Sequence, residues 1–307
     1  MVTGYRRRPE ARTGERSQYN DPAIEPTGIA VGAEGRIVVT GGAITRLGES
    51  CVHDSFAPVG VGAGFVARFT GDGAPDLGFG DMGLMGGRAL SENPLGAETI
   101  SEPIVGPGGV ITYRSNSAYP CEPRQSRLGI GQLTPAGQPR SIIGHDGALT
   151  GPYAALAGLP DGSVVALAEP GRLGRESFRA EVIRIAPDGK PDRAFGVGGR
   201  ALLTLGPSLF THLDSLAIDR RGDILVGGTS YQKKESAAVL LELSARGRWE
   251  KDFGPHGRVV TKTPDLPDTG PSTLFFDSRG RLVTLHLHSN NGRAGLVVAR
   301  YRLRDRN

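Results

Sequence analysis

Short apolar segments joined by glycine turns recur along the whole chain. The clearest pair, residues 216–218 and 223–226, flanks Gly222, and the same arrangement surrounds four further glycines. Apolar, β-branched segments separated by a few turn residues predict β-hairpins. The sequence therefore predicts five hairpins, with their turns at Gly35, Gly109, Gly162, Gly222 and Gly280.

A second element alternates with the hairpins and has a fixed spacing of glycines. A turn glycine is followed six residues later by Phe or Ile, directly after that by Gly, and three residues further by Gly again. Residues 188–200 and 246–258 are the clearest copies, an earlier copy covers 72–83, and a degenerate one covers 136–147. Four copies of one spacing indicate an internal repeat. One apolar segment precedes each of the two clearest copies and another follows it, which adds two strands to the hairpin.

Four antiparallel strands per unit, repeated five times, predict a five-bladed β-propeller that forms a single domain over residues 1–307. The fifth unit stops after its third strand, at residues 296–301. Residues 2–5 are similar to the fourth strand at 259–262, so we expect the N-terminal segment to complete the last blade and close the ring. Closure would remove exposed strand edges. Residues 6–26 are then expected to be a loop or arm.

The repeat resembles a known family at this point. Turn Gly, Asp, Phe-Gly, Gly-Arg and an apolar pair around Pro-Asp-Gly are similar to the delta-60 repeat of bacterial β-propellers, and the resemblance covers nearly the whole chain. It implies the propeller fold and little about function, since many such proteins are surface or secreted modules without assigned chemistry. The second unit departs most, with Ile143 in place of Phe and Arg140 in place of Asp.

Composition and charge narrow the classes of function. The chain has 47 Gly and 22 Pro, a net charge of +4, and 31 of its 36 basic residues are Arg. These Arg residues are spread along the chain among acidic residues, which argues against a nucleic-acid surface. No segment approaches eighteen consecutive apolar residues, so no membrane span is expected. No apolar run follows the charged start, which predicts either an intracellular protein or one whose leader has been removed.

The longest connections are predicted to share one face of the propeller, because the turns on the other face are tight. The second-to-third strand loops are expected at 42–64, 114–127, 168–179, 230–236 and 287–294. Function concentrates on loops held by a rigid scaffold, so we expect a site on this face, at the mouth of the central channel. Side chains expected to ring that mouth are Glu25, Glu102, Tyr153, His212 and Asp214.

Carboxylates with a His and a Tyr could perform acid–base chemistry or hold a cation. The alternative interpretation is that these residues are solvated strand ends. The sequence favours a monomeric module that binds a glycan, a small molecule or a protein, without a cofactor or metal ion. An alternative is a hydrolase or lyase with its site in the same mouth, and a third possibility is a purely structural repeat.

The two cysteines, Cys51 and Cys121, are predicted to lie in equivalent loops of neighbouring blades. A disulfide between them is sterically reasonable and would indicate an oxidising compartment, hence a secreted or cell-surface protein. Two unrelated thiols are the alternative, and a cytoplasmic location stays open.

Three weaker patterns have structural alternatives. His286 and His288 could share a metal ion on one strand face, and Asp72, Asp76 and Asp81 partly resemble a calcium loop. The tripeptide Arg221-Gly222-Asp223 matches an adhesion sequence. We expect polar strand ends in the first case and ordinary turns in the other two.

Overall fold

A computed structural model describes residues 24–49, 58–80, 88–90, 97–118, 127–143, 153–168, 178–205, 210–232, 235–261, 273–290, 293–301 and 303. Regular structure in these residues is β-strand, apart from short 3-10 turns such as Pro107–Gly109 and Pro255–Gly257. No helix in the described residues is long and apolar enough to cross a membrane.

Within the described residues, nineteen strands form five antiparallel sheets. Blade 1 comprises β1 (Ile24–Val31), β2 (Ile37–Glu49), β3 (Pro58–Phe69) and β4 (Arg88–Leu90). Blade 2 comprises β5 (Ala97–Val105), β6 (Ile111–Ala118), β7 (Arg127–Leu133) and β8 (Pro139–Ile143). Blade 3 comprises β9 (Tyr153–Gly158), β10 (Val164–Ala168), β11 (Phe178–Ile185) and β12 (Arg200–Leu205). Blade 4 comprises β13 (Phe210–Ile218), β14 (Ile224–Gln232), β15 (Glu235–Leu243) and β16 (Arg258–Thr261), and blade 5 comprises β17 (Thr273–Phe276), β18 (Leu282–Asn290) and β19 (Arg293–Tyr301).

The five sheets are arranged in a ring, which confirms the predicted five-bladed β-propeller. The first strands of successive blades, β1, β5, β9, β13 and β17, contact one another in that order and are therefore the inner strands around the channel. All five predicted hairpin glycines have positive φ angles, between 72° and 85°. Glycine adopts this conformation without steric cost, which is why it recurs at each first-to-second strand turn.

The cores lie between blades, because each strand alternates its side chains between two neighbouring sheets. In blade 4, Leu216, Val226 and Leu241 belong to the cluster shared with blade 3. The adjacent residues Ala217, Leu225 and Leu240 belong to the cluster shared with Leu274 and Leu282 of blade 5. The blades thus bury both faces of their sheets on neighbours, as radial repetition requires.

The repeated glycine motif forms a turn that reaches from one blade to the next; we call residues 73–80, 189–196 and 247–254 the interblade turns. Phe79 and Phe195 are each 1% exposed. The following glycines donate across the blade boundary, Gly80 N to Ala136 O and Gly196 N to Arg246 O, at 2.8 Å each. Burial of these two rings confirms the register for blades 1 and 3, whereas Phe253, which the repeat predicts to be buried in the same way, is only half-buried.

An arginine–aspartate pair holds the interblade turns of blades 1 and 3. Arg68 Nε lies 2.8 Å from Asp76 Oδ2, and Arg184 Nε lies 3.3 Å from Asp192 Oδ2. The other carboxylate oxygen accepts a backbone N–H two residues on, from Gly78 at 3.2 Å and from Ala194 at 3.0 Å. This local bond of an aspartate to the following backbone is a turn-forming interaction. The Arg68 guanidinium also lies 4.4 Å from the centre of the Phe79 ring.

Blade 2 has no such turn in its described residues. After Gly137 the chain returns directly as β8, in which Ile143 pairs with Ile130 and Arg140 is an unpaired bulge residue. The positions of the arginine–aspartate pair are occupied by Gln132 and Arg140. No carboxylate is available here to bond the backbone, and a strand replaces the turn. The sequence-based assignment of an equivalent motif at 136–147 is therefore wrong for residues 139–143, which form β8.

Strands are longer than the sequence predicts, and the loops are correspondingly shorter. β2 reaches Glu49 and β3 starts at Pro58, so most of the loop expected at 42–64 is strand. β1 starts at Ile24, so the last residues of the expected arm 6–26 belong to the inner strand. The proposed closing segment, residues 2–5, lies outside the described residues. On the two terminal blades, Ile29, Val31, Leu296 and Val298 are each more than half exposed.

Candidate binding site at the central channel

Four of the five inner strands contain a β-bulge at an equivalent place. The pairing shifts between Pro26 and Gly28 in β1, between Ser101 and Ile104 in β5, opposite Leu167 and Ala168 in β9, and between Leu213 and Ser215 in β13. Each bulge begins seven or eight residues before the hairpin-turn glycine of its blade. A bulge re-aims a side chain, and bulges are frequent next to functional sites. The bulged residues are Thr27, Glu102 with Pro103, Ala154 and Asp214.

Two bulged side chains connect inner strands of neighbouring blades. The Thr27 hydroxyl donates to the carbonyl of Ile100, from blade 1 to blade 2. The Glu102 carboxylate accepts from the backbone N–H of Leu156 in blade 3, with Leu156 N 2.7 Å from Oε2. The bulge level is thus tied together from blade to blade, which fixes the geometry of the channel wall there.

Glu102 is the most constrained residue of this ring. Its φ angle is 52°, a conformation that a non-glycine residue adopts only at a cost. Arg114 Nη2 lies 2.9 Å from Glu102 Oε1, and Arg114 Nε donates to Ser101 Oγ at 3.2 Å. Burial raises the pKa of the Glu102 carboxyl above its ordinary value, although Arg114 and the Leu156 N–H act in the opposite direction. Perturbed carboxyls of this kind concentrate at functional sites.

The five residues proposed from the sequence all lie within two residues of a bulge on the inner strands. Glu102 and Asp214 are bulged residues, Tyr153 precedes the bulge of β9, and Glu25 and His212 each lie two residues before a bulge. Glu25 and His212 are exposed, whereas Asp214 is half-buried. Of Tyr153 only the backbone position is described. The position of these residues relative to the bulges agrees with the sequence alignment of the inner strands. The role of their side chains stays a prediction.

Sequence reasoning missed the bulges and the role of Arg114, although one signal was present. Proline inside a predicted strand marks an edge or a bulge, and Pro26 and Pro103 each lie directly beside a bulged residue. Nothing comparable marks Ala154 or Asp214. Arg114 lies on the second strand of its blade, so an alignment of inner strands alone could not identify it.

The described residues contain no group of three or more His, Cys, Asp or Glu placed to hold a metal ion. His286 is buried, with Nε2 2.7 Å from Thr284 Oγ1 inside blade 5, and the side chain of His288 is not described. Asp72 and Asp76 are bonded to Thr70 and Arg68, as ordinary turn residues are. Gly222, with φ of 85°, forms the hairpin turn expected within Arg221-Gly222-Asp223.

Several predicted features lie outside the described residues. Cys51 and Cys121 are among them, so the disulfide and the export that it would indicate stay predictions. Most of the long connections on the channel face, including residues 50–57, 119–126 and 169–177, are also outside. The described part of the site is therefore the channel wall.

Comparisons with known proteins concern the fold alone. The sequence matches no protein-family model, and no curated protein is significantly similar to it. Among solved structures, an endo-arabinase from Bacteroides thetaiotaomicron is 12% identical, with a TM-score of 0.44 over 93% of this chain and 96% of that one. A PL25 ulvan lyase is 13% identical, with a TM-score of 0.47 over 94% of this chain and 69% of that one. A glucose dehydrogenase is 13% identical, with a TM-score of 0.47 over 89% and 82%. Similarities of this size carry no argument about function.

Proposed function

We propose that this chain is a binding module whose ligand sits at the mouth of the central channel, at the level of the inner-strand bulges. One observation carries the proposal: bulges recur at an equivalent place in four blades, and most of the polar residues singled out in the sequence lie at or beside them. Recurrent bulges cost ladder hydrogen bonds, and four of them at one level indicate a shaped opening rather than an irregular strand.

The state of Glu102 favours binding over catalysis. A general acid or base must present its carboxyl to a substrate. Both oxygens of Glu102 are already engaged, Oε1 with Arg114 and Oε2 with the N–H of Leu156. The residue acts as a clamp that positions the channel wall, and the exposed side chains nearby, Glu25 and His212, remain accessible to a ligand.

A glycan is the ligand class that best suits this wall. Carboxylates, an imidazole and a hydroxyl can each exchange hydrogen bonds with sugar hydroxyls, and a ring of them at one level accommodates a polyhydroxylated chain end. Glu25 and Asp214 give the opening a negative character, which disfavours acidic polysaccharides. We therefore expect neutral or amino sugars, and a monomeric, exported member of the bacterial delta-60 propellers as the setting.

The test is glycan binding by isothermal titration after an array screen, with wild-type protein and matched variants. The double variant Glu25→Ala/His212→Ala removes two exposed side chains and should weaken binding about tenfold or more. Glu181→Gln is the control, because it changes a carboxylate on the third strand of blade 3, away from the channel. Equal weakening in both variants, or no glycan bound at all, would contradict the proposal.

The enzyme alternative rests on the raised pKa of Glu102. It predicts chemical change of a glycan rather than binding alone, through hydrolysis or β-elimination by the carboxylates with His212 or Tyr153. Reducing-end release and ultraviolet absorbance of unsaturated products measure the two reactions separately. Turnover that Asp214→Asn abolishes while binding persists would favour the enzyme.

A further inference from the structure

A cavity of about 410 Å³ lies between blades 2 and 3, on the face of the tight turns, away from the bulge ring. Ile104, Val110 and Val164 are among its apolar walls, and Arg140 and Asp188 are among its polar groups. Cavities of this size with an apolar lining and a few polar groups are typical of small-molecule sites.

The cavity lies where the other blades place an interblade turn. Two of its wall residues, Thr112 and Val164, are the equivalents of Val38 and Ile111, which share a buried cluster with Phe79. Blade 2 supplies no such phenylalanine, because its chain returns as β8 directly after Gly137. The aromatic ring that fills the boundaries between blades 1 and 2 and between blades 3 and 4 therefore has no described counterpart here.

The backbone acceptor for the missing turn is still in place. Gly80 N donates to Ala136 O and Gly196 N donates to Arg246 O, in the turns that precede Gly137 and Gly247. The equivalent carbonyl in blade 3 is that of Asp188, which precedes Gly189 and lines the cavity. Among the described residues no N–H donates to it across the blade boundary. A ligand N–H would complete the pattern of the other boundaries.

Among the described residues, the charges around the cavity leave one cation available. The Asp161 carboxylate is bound by Arg184 Nη2 at 2.6 Å, and Asp188 Oδ2 lies 3.8 Å from Lys190 Nζ, so both acids have partners within blade 3. Arg140, on the bulge of β8, makes no hydrogen bond or ion pair within the described part of the chain. Its guanidinium suits a carboxylate, which it can bind through two parallel N–H bonds.

We propose that this interblade cavity binds an N-acylated aromatic amino acid, either free or as the C-terminal residue of a peptide. The aromatic ring lies against Thr112 and Val164, the equivalents of two residues that surround Phe79, the amide N–H donates to the carbonyl of Asp188, and the carboxylate pairs with Arg140. The ligand thus supplies in trans an aromatic ring and an N–H, which an interblade turn supplies in cis, and its carboxylate adds a contact that is specific to Arg140. The site is separate from the channel and does not depend on the proposed glycan function.

The experiment titrates wild-type protein with N-acetyl-phenylalanine, followed by NMR chemical shifts, and expects binding in the millimolar range for a ligand of this size. Arg140→Ala should weaken binding about tenfold, and Arg193→Ala, an exposed arginine of the blade 3 turn, should leave it unchanged. N-acetyl-phenylalaninamide lacks the carboxylate, so its weaker binding should not respond to Arg140→Ala. Tighter binding of Gly-Gly-Gly-Phe than of the single amino acid would identify a peptide end as the source.

A second variant keeps the test independent of Arg140. Val110→Phe places a ring into the cavity from its wall and should abolish binding while circular dichroism and the melting curve stay as in the wild type. The proposal is overturned by absence of binding to wild-type protein at millimolar probe. It is equally overturned if Arg140→Ala and Val110→Phe both bind as the wild type does.

Discussion

Blades 2 and 3 share one strand plan and close in different ways. In blade 3 the third strand is followed by an interblade turn, in which Asp192 bonds both Arg184 and the backbone of Ala194 and Phe195 enters the next blade. In blade 2 the corresponding residue is Arg140, and the chain returns at once as a strand. An aspartate paired with an arginine thus distinguishes the interblade turns of blades 1 and 3 from the direct strand return of blade 2.

The comparison also explains why blade boundaries differ in what they can bind. A filled boundary, such as that between blades 3 and 4, is an apolar core whose largest side chains are fully buried. The boundary between blades 2 and 3 has a smaller buried cluster around Ile130 and Ile185 and, beside it, a cavity lined by apolar residues and by Arg140, which has no ion pair among the described residues. The loss of the interblade turn in one blade thus leaves polar groups beside a cavity, without any change of fold.

The largest effect that separates the two kinds of boundary is expected from Phe195→Ala. The ring is fully buried, so its removal should lower the free energy of unfolding by about 3–5 kcal/mol. Phe253→Ala should cost less, because Phe253 is only half-buried at the boundary between blades 4 and 5. Urea unfolding of both variants measures the difference. Equal costs would mean that burial in the interblade turn does not set the stability of a boundary.

The aspartate of the interblade turn provides the second test of the difference between the blades. Asp76→Ala leaves Arg68, which is almost fully buried, without its ion-pair partner and should cost about 2–3 kcal/mol. Arg140→Ala, at the equivalent position of blade 2, is the control and should change stability by less than about 0.5 kcal/mol, since Arg140 is exposed. Denaturant midpoints of the two variants that coincide would contradict this account.

Blade 5 offers a third contrast, because it has three strands in the described residues where the others have four. If residues 2–5 supply the fourth, removing residues 1–8 deletes a few ladder hydrogen bonds of roughly 1 kcal/mol each. The melting temperature should then fall by several degrees. An equally long deletion within residues 9–20 controls for the loss of chain, and an unchanged melt in the first deletion would count against closure by this segment.

Much of the fold could be predicted because glycine turns and apolar alternation are local signals. The five hairpin glycines and the burial of Phe79 and Phe195 follow from them directly. The strand that replaces the turn at Ile143 could not be predicted from these signals. The glycine spacing is retained there, although the carboxylate that makes the turn is absent. The bulges of β9 and β13 depend on contacts between distant strands, for which a single sequence contains no local signal.

Two carboxyls at opposite ends of the inner strands are expected to respond to pH in opposite directions. Asp277, in the hairpin turn of blade 5, accepts from Arg281 and from the backbone of Arg279, which lowers its pKa to about 2. It stabilises the fold above its ordinary pKa of 3.8, and the contribution is lost as the pH falls through about 2. Asp277→Asn should therefore flatten the acid limb of the stability profile.

Glu102 should show the reverse and the smallest effect. Burial raises its pKa above 4.5, so the folded state holds the proton more tightly than the unfolded chain does. Its contribution is complete below 4.5 and is lost as the pH rises through the folded pKa, because a buried carboxylate must then form. The stability of the wild type relative to Glu102→Gln should accordingly decline across that interval, while Asp277→Asn differs from the wild type only in acid. Urea midpoints measured from pH 3 upward would show both trends, and a constant difference between wild type and Glu102→Gln would mean that the clamp to Leu156 and Arg114 outweighs burial.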